Sequence, residues 1–425
     1  MARKKLIISI LIIIVAIVLV VYEYLQDTNK SVDKEEVVDI QNKTDRTIED
    51  LELRLVKNHG DLNISIQLAD AYFQKVRETA DLSLYKKIEE LMEKSEKKDP
   101  NNADVYSIRA QIALGQHDFV KALELGQKAH QLNPTRPSYL GIVGDAQIEL
   151  GRYEEAVETI QQMVNLRPAY SSFTRTAYLR EIYADIEGAQ EVLQKAISAG
   201  SPYPENIAAS LVDLGKLQFR ADLEEATQTF NQALSVYKDY PPALAGLGRV
   251  SFAKEDYKGA IGYFDKALQI LPIAQYATDL GNVYSKIGEN DKAKQYYSLA
   301  LAAYERAEQN GVNTDLEVAL FLADHDMELE NALEKAQAAY AIRPDNIYVA
   351  DALAWTLHKN GKSKEAQEYI TQALRLGEYD SLILFHAGVI AGKNDNPQEA
   401  KRLFAKAIAL HPYFSMQYAQ VISVL

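Results

Sequence analysis

Pro137–Tyr170 reads PSYLGIVGDAQIELGRYEEAVETIQQMVNLRPAY, and these 34 residues decide the fold. Leu140 and Val143 lie three apart, and Tyr153, Ala156, Ile160 and Met163 follow at steps of three and four, which is the periodicity of one helix face. Gly151 falls between the two periodic runs and Pro168 after the second, so the stretch predicts two antiparallel helices with a turn between them and a stop at the end. Gly144, midway along the first helix, lets the second approach closely.

Outward from this unit the pattern recurs. Ala122, Ala156, Ala189, Ala226, Ala260, Ala293, Ala332, Ala366 and Ala400 stand at spacings of 34, 33, 37, 34, 33, 39, 34 and 34. Seven residues beyond each comes Ala129, Met163, Ala196, Ala233, Ala267, Ala300, Ala339, Ala373 or Ala407, and Pro134, Pro168, Pro272, Pro344 and Pro412 lie five further on. Small residues sit midway along the first helices (Ala110, Gly144, Ala177, Gly215, Gly248, Gly281, Ala354, Gly388), and Gly288 and Gly361 repeat the turn of Gly151. A helix pair of this kind cannot hide its apolar face alone, so stability must come from stacking on neighbours.

Leu140, Val143-Gly144, Tyr153, Ala156, Ile160, Met163 and Pro168 together resemble the tetratricopeptide repeat (TPR) family, and the resemblance covers roughly residues 45–414. It implies an all-α, TPR-like α-solenoid, a right-handed superhelix of helix-turn-helix repeats. The expected order over 45–425 is an opening half-repeat at Ile48–Leu55, nine to ten repeats, and a capping helix within Phe414–Leu425. Arg77–Ser83 reads as an insertion in the first full unit. Gln309-Asn310-Gly311 breaks a long helix, and a boundary between sub-arrays is expected near 304–327.

The N-terminus carries a different signal. Arg3, Lys4 and Lys5 precede Leu6–Val21, which holds no charge; with Tyr22 this makes 17 residues. At about 1.5 Å per residue that just spans a bilayer core. Small residues are missing from the end of the run, so an uncleaved signal anchor is preferred to a cleaved signal peptide. Tyr22–Glu36 holds five acids and two lysines, so the positive-inside rule keeps residues 1–5 in the cytoplasm, places 6–22 in the bilayer, and sends a polar linker (23–44) and the array to the extracytoplasmic side.

Composition narrows the function. The 425 residues carry 46 basic and 60 acidic side chains, a net charge of −14, which argues against a nucleic-acid partner. With no cysteine there is no disulfide, thiolate metal site, cysteine nucleophile or lipid-bearing cysteine. No catalytic motif stands out among the seven histidines, and no phosphate-cradling loop is present, so neither an enzyme nor a cofactor is expected. Asp324-His325-Asp326 can in principle ligate a metal, but at a helix-to-turn junction such side chains ordinarily face water. His358 and His386 read as groove or packing residues.

In the TPR family the first helices line a concave surface that typically holds an extended peptide or a partner helix. The residue after each small packing position should face into it. That register gives Gln111, Asp145, Tyr178, Lys216, Arg249, Asn282, Trp355 and Val389, with Tyr178, Lys216, Arg249, Asn282 and Trp355 as candidate groove residues. Lys216, Arg249 and Asn282 form a donor stripe suited to an acidic or C-terminal peptide segment, the plainer reading being solvated residues on a wide face. The expected function is that of a membrane-anchored scaffold binding partner proteins or peptides, in envelope assembly, polysaccharide export or secretion. The alternatives are a cytoplasm-facing assembly or regulatory factor and, further off, an enzyme with a repeat-built substrate groove.

Overall fold

The computed structural model describes residues 34–58, 60–201 and 203–418, with side chains from residue 43 onward. The chain divides into residues 1–47 and 48–425. Of the first, the described part is the start of helix α1 (Lys34–Lys57). The anchor expected at 6–22 lies outside the described residues; among those described, no helix is long and apolar enough to cross a membrane.

From Leu62 the chain forms ten consecutive helix pairs, giving 21 helices with α1 and no strand among the described residues. The pairs that matter below are α6 (Pro137–Glu149) with α7 (Tyr153–Leu166), α8 (Tyr170–Ile182) with α9 (Ile186–Ala199), and α10 (Pro204–Phe219) with α11 (Leu223–Val236). They continue with α12 (Pro241–Ala253) and α13 (Tyr257–Ile270), α14 (Ala274–Lys286) and α15 (Asn290–Gln309), and α16 (Asp315–Asp324) and α17 (Leu329–Ile342). The last are α18 (Ile347–Lys359) with α19 (Ser363–Ala373) and α20 (Ser381–Lys393) with α21 (Pro397–Leu410). Each first helix packs chiefly on its own second helix, and the second helices, α15 apart, pack on the next pair. This is the expected all-α TPR-like solenoid.

Local chemistry sets the boundaries. Asn346 and Asp380 accept backbone N–H groups at the starts of α18 and α20, and Pro137, Pro204, Pro241 and Pro397 occupy first-turn positions where no N–H is missed. All nine landmark alanines are buried. Gly215 and Gly246 both lie on the ring of Phe230, and a Cβ at either would come within 2.6 Å of it. Phe230, buried between two first helices, stabilises the stack by roughly 1.5–3 kcal/mol.

Of the insertion read at Arg77–Ser83, the first part extends the helix Leu62–Thr79 to 18 residues, and Ala80, left-handed, opens the turn before the helix that starts at Leu84. One expectation needs revision. The segment after α21 does not begin a capping helix. Residues 411–418 form turns that enter the concave side of the array, and the remainder of the expected cap, 419–425, lies outside the described residues.

The solenoid also closes on itself. Asn313 N–H donates to the Gln116 carbonyl at 2.9 Å, Arg343 meets Glu149 at 3.3 Å, and the Ile347 N–H donates to the Tyr153 hydroxyl at 3.2 Å. Asn346 donates to the Glu149 carbonyl at 3.0 Å, and Arg375 to the Gly151 carbonyl at 2.7 Å. Phe219 meets His411 edge-on at 5.4 Å. Most of these pairs are 192–197 residues apart, close to six repeats, which marks one superhelical turn. The break at Gln309–Gly311 supplies the loop that docks on Gln116.

Candidate functional site

The concave wall is built from the first helices, because the packing register that turns Gly215, Gly248 and Gly281 toward their partner helices turns the next residue away from them. The wall has two stretches of different character.

The earlier stretch, over the first four pairs, encloses a cavity of about 480 Å³ whose lining includes Asp70, Asp104, Gln111, Arg136, Asp145 and Arg175. Four of these charges are paired: Arg175 holds Asp145 at 2.6 Å and Arg136 holds Asp104 at 2.5 Å. Burial and the nearby Asp104 carboxylate raise the Asp70 carboxyl above its ordinary value. A larger hollow of about 700 Å³ lies elsewhere, among α19, α20 and α21.

The candidate residues fall along the rest of the wall. Tyr178, on α8, is 42% exposed, and burial together with Glu149 and Glu181 lifts its phenol above the usual range. Lys216, on α10, is exposed and pairs at 2.9 Å with Asp213 one turn earlier. Arg249, on α12, reaches the buried Asp279 of α14 at 3.2 Å. The two cations expected to await an acidic ligand therefore already hold carboxylates of this chain.

Asn282 and Trp355 were expected on an open wall, and the structure places both beneath the chain's own C-terminal segment. The Gln417 amide donates to Asn282 Oδ1 at 3.3 Å, beside the Tyr297 hydroxyl at 3.0 Å. Trp355 is 3% exposed; its Nε1–H donates to Asp324 Oδ1 at 2.9 Å, and the Tyr418 hydroxyl donates to the same oxygen at 3.0 Å. Tyr418 stacks on Phe385 at 4.7 Å and meets Trp355 edge-on at 5.8 Å. Phe414 lies 5.9 Å from Phe385, and Met416 packs on the cluster of Tyr276 and Leu280.

Histidines and acids cluster behind this contact. His386 is fully buried, bonds Asp351 through Nδ1 at 2.9 Å and stacks on Trp355 at 4.1 Å. Burial, with Lys359 nearby, pushes His358 down to about 4. His325 donates from Nδ1 to the Phe321 carbonyl at 2.6 Å and accepts the Gln417 amide at Nε2, 2.9 Å away. Burial raises the Asp324 carboxyl. The expectation that Asp324 and His325 face water is thus corrected: both turn inward to meet the tail. No group of three metal-ligating side chains forms among the described residues.

Sequence reasoning missed Gln417, Tyr418 and the closure residues. Their hydrogen-bond partners lie 92 to 224 positions away, beyond any local periodicity.

The architecture is that of a helical-repeat binding protein with a concave wall. Tetratricopeptide repeat families match residues 113–173, 213–274, 274–306 and 350–377, and the chain belongs to the tetratricopeptide repeat family. Over 311 residues it is 25% identical to TPR repeat-containing protein YpiA of Bacillus subtilis, covering 70% of this chain and 71% of that protein. It is 23% identical over 318 residues to tetratricopeptide repeat protein 21A of Mus musculus, covering 68% of this chain but only 24% of the mouse protein. Among solved structures, the Cut9-Hcn1 hetero-tetramer of the APC/C aligns with a TM-score of 0.46 at 20% identity, over 71% of this chain and 56% of that one.

Proposed function

We propose that this protein is a non-catalytic interaction scaffold, held at a membrane through residues 6–22, whose concave wall binds partner polypeptides on the extracytoplasmic side. The observation that carries the binding role is the cavity over the first four pairs, whose lining includes the pairs Arg136–Asp104 and Arg175–Asp145. Such paired groups can exchange an internal partner for a backbone or side chain of an extended peptide.

The finer reading is that Tyr178, Lys216 and Arg249 contact an acidic or C-terminal segment of the partner, with Asn282 and Trp355 continuing the same wall. Lys216 and its Asp213 partner are both more than half exposed, and an exposed pair contributes only about 0–1 kcal/mol, so an incoming carboxylate can compete for the ammonium. The charge asymmetry across residues 3–36 supports the anchor and its orientation. Envelope assembly, polysaccharide export and secretion are settings that such an anchored scaffold suits.

Lys216→Glu combined with Arg249→Glu should weaken capture of the partner from solubilised membranes at least about tenfold, corresponding to about 1.4 kcal/mol. Unchanged capture would remove the acidic-segment reading. A reporter that works only in the cytoplasm, fused after Leu425, should be silent; activity there would reverse the orientation.

A further inference from the structure

The C-terminal segment meets the wall as a ligand would. Residues 411–418, HPYFSMQY, carry no acid, lysine or arginine, and burial beside Arg220 pushes the His411 imidazole down to about 3, which keeps it neutral. Every residue of the segment is half-buried, none fully. Its contacts are ring against ring, Met416 against the cluster of Tyr276 and Leu280, and side-chain donor against wall acceptor. Tyr418 gives its face to Phe385 and its hydroxyl to Asp324, while the residue before it gives an amide to Asn282 and His325.

The acceptors are prepared for this ligand. Asp324 Oδ1 is fixed by the Trp355 indole and still takes the tyrosine hydroxyl. Asn282 is fixed by Tyr297, and His325 Nε2 is left to accept because Nδ1 is committed to the Phe321 carbonyl. Three first helices, α14, α16 and α18, thus converge on a two-residue element, an amide followed by a tyrosine, with α20 supplying the ring of Phe385.

We infer that the wall formed by Asn282, Asp324, Trp355 and Phe385 is a second peptide site, selective for an uncharged segment bearing an amide–tyrosine pair, and that residues 414–418 occupy it in cis as a built-in competitor. This rests on the proposed binding role of the concave wall but concerns a different stretch and a different ligand chemistry from the Lys216–Arg249 stripe. The tether makes the competition effective. Only a few residues separate Phe414 from the end of α21, and a short linker gives an effective concentration in the millimolar range. A partner must therefore bring the same chemistry at high local concentration, or draw the tail away by a contact of its own.

The chain contains a single tryptophan, Trp355, so its fluorescence reports the state of the site directly. In the full-length protein, Gln417→Ala with Tyr418→Ala should shift the emission to longer wavelength and increase acrylamide quenching several-fold over wild type. A synthetic peptide of residues 411–418 should reverse both changes saturably in this variant, at a concentration at least about tenfold below any effect on wild type. A peptide ending in Phe in place of Tyr should bind the variant about tenfold more weakly, because the hydrogen bond to the carboxylate is lost. Circular dichroism checks that the helices remain. If the double variant loses helix, Tyr418→Phe, which keeps the ring contacts, should still increase quenching, by a smaller factor. Tryptophan as shielded in these variants as in wild type, or exposed tryptophan that millimolar peptide does not cover again, would overturn the inference. Neither readout depends on Lys216 or Arg249, so the two binding readings fail separately.

Discussion

Glu378 accepts from Arg402 at 2.6 and 2.8 Å and from Lys406 at 2.9 Å, and these cations hold its carboxyl at about 2, well below the ordinary 4.5. A depressed acid contributes stability that is fully present above its unfolded value and is lost as pH falls through the folded one. Because the pair partners remain largely solvated, Glu378→Gln should cost only about 1 kcal/mol at pH 7. The difference from wild type in urea unfolding should shrink as pH falls from about 4.5 toward about 2; a constant difference across that window would show that the ion pairs do not carry it. Other residues show where local reading stops. Asp324-His325-Asp326 carries no mark that distinguishes an inward carboxylate from an outward one. Asp326 is exposed, whereas Asp324 is turned inward to Trp355 and Tyr418, residues 31 and 94 positions away.

At the scale of the element, the turn inside every repeat except the one joining α10 and α11 holds a residue in the left-handed region. Gly151, Gly288 and Gly361 meet this with φ of 77°, 81° and 76°, as their place between two periodic runs predicts. His117, Ala184, Glu255, Asp326 and Asp395 adopt the same conformation at the equivalent positions with φ of 53–63°, where an L side chain costs roughly 1–2 kcal/mol relative to glycine. Stacking on both sides over-determines the turn, so the repeat tolerates the wrong local residue, and glycine alone under-reports the turns. Gly151 has an additional role. A Cβ there would come within 2.1 Å of the Asp345 carbonyl carbon, so the close approach of the next superhelical turn is permitted by one missing side chain.

At the scale of the solenoid, closure rests on a buried cation. Arg343 pairs with Glu149 and lies 4.9 Å over the ring of Phe119, and burial pulls its guanidinium below its ordinary value. Arg343→Ala leaves Glu149 without its partner. The expected loss is about 2–3 kcal/mol, less than the roughly 3–5 kcal/mol of a fully buried pair because the Glu149 side chain keeps some solvent. Amide exchange should speed up in both faces of the seam, around 116–118 and 149–153 on one side and 311–316 and 343–348 on the other, with the helix signal unchanged. Exchange confined to the mutated helix would mean that the turns do not support each other.

The repeat, its helix pairs, the small packing positions and the break at Gln309–Gly311 were legible in the amino-acid order, because each is enforced by contacts within one unit or between adjacent ones. The register of Tyr178, Lys216, Arg249, Asn282 and Trp355, each one residue past a small packing position, belongs to the same class. Which stretch of wall is covered, that Arg249 already holds the buried Asp279 of the next first helix, and where the array meets itself were decided only by the tertiary structure. Those outcomes depend on the small rotation between successive pairs, summed over about six repeats, and no single repeat carries that sum in its sequence.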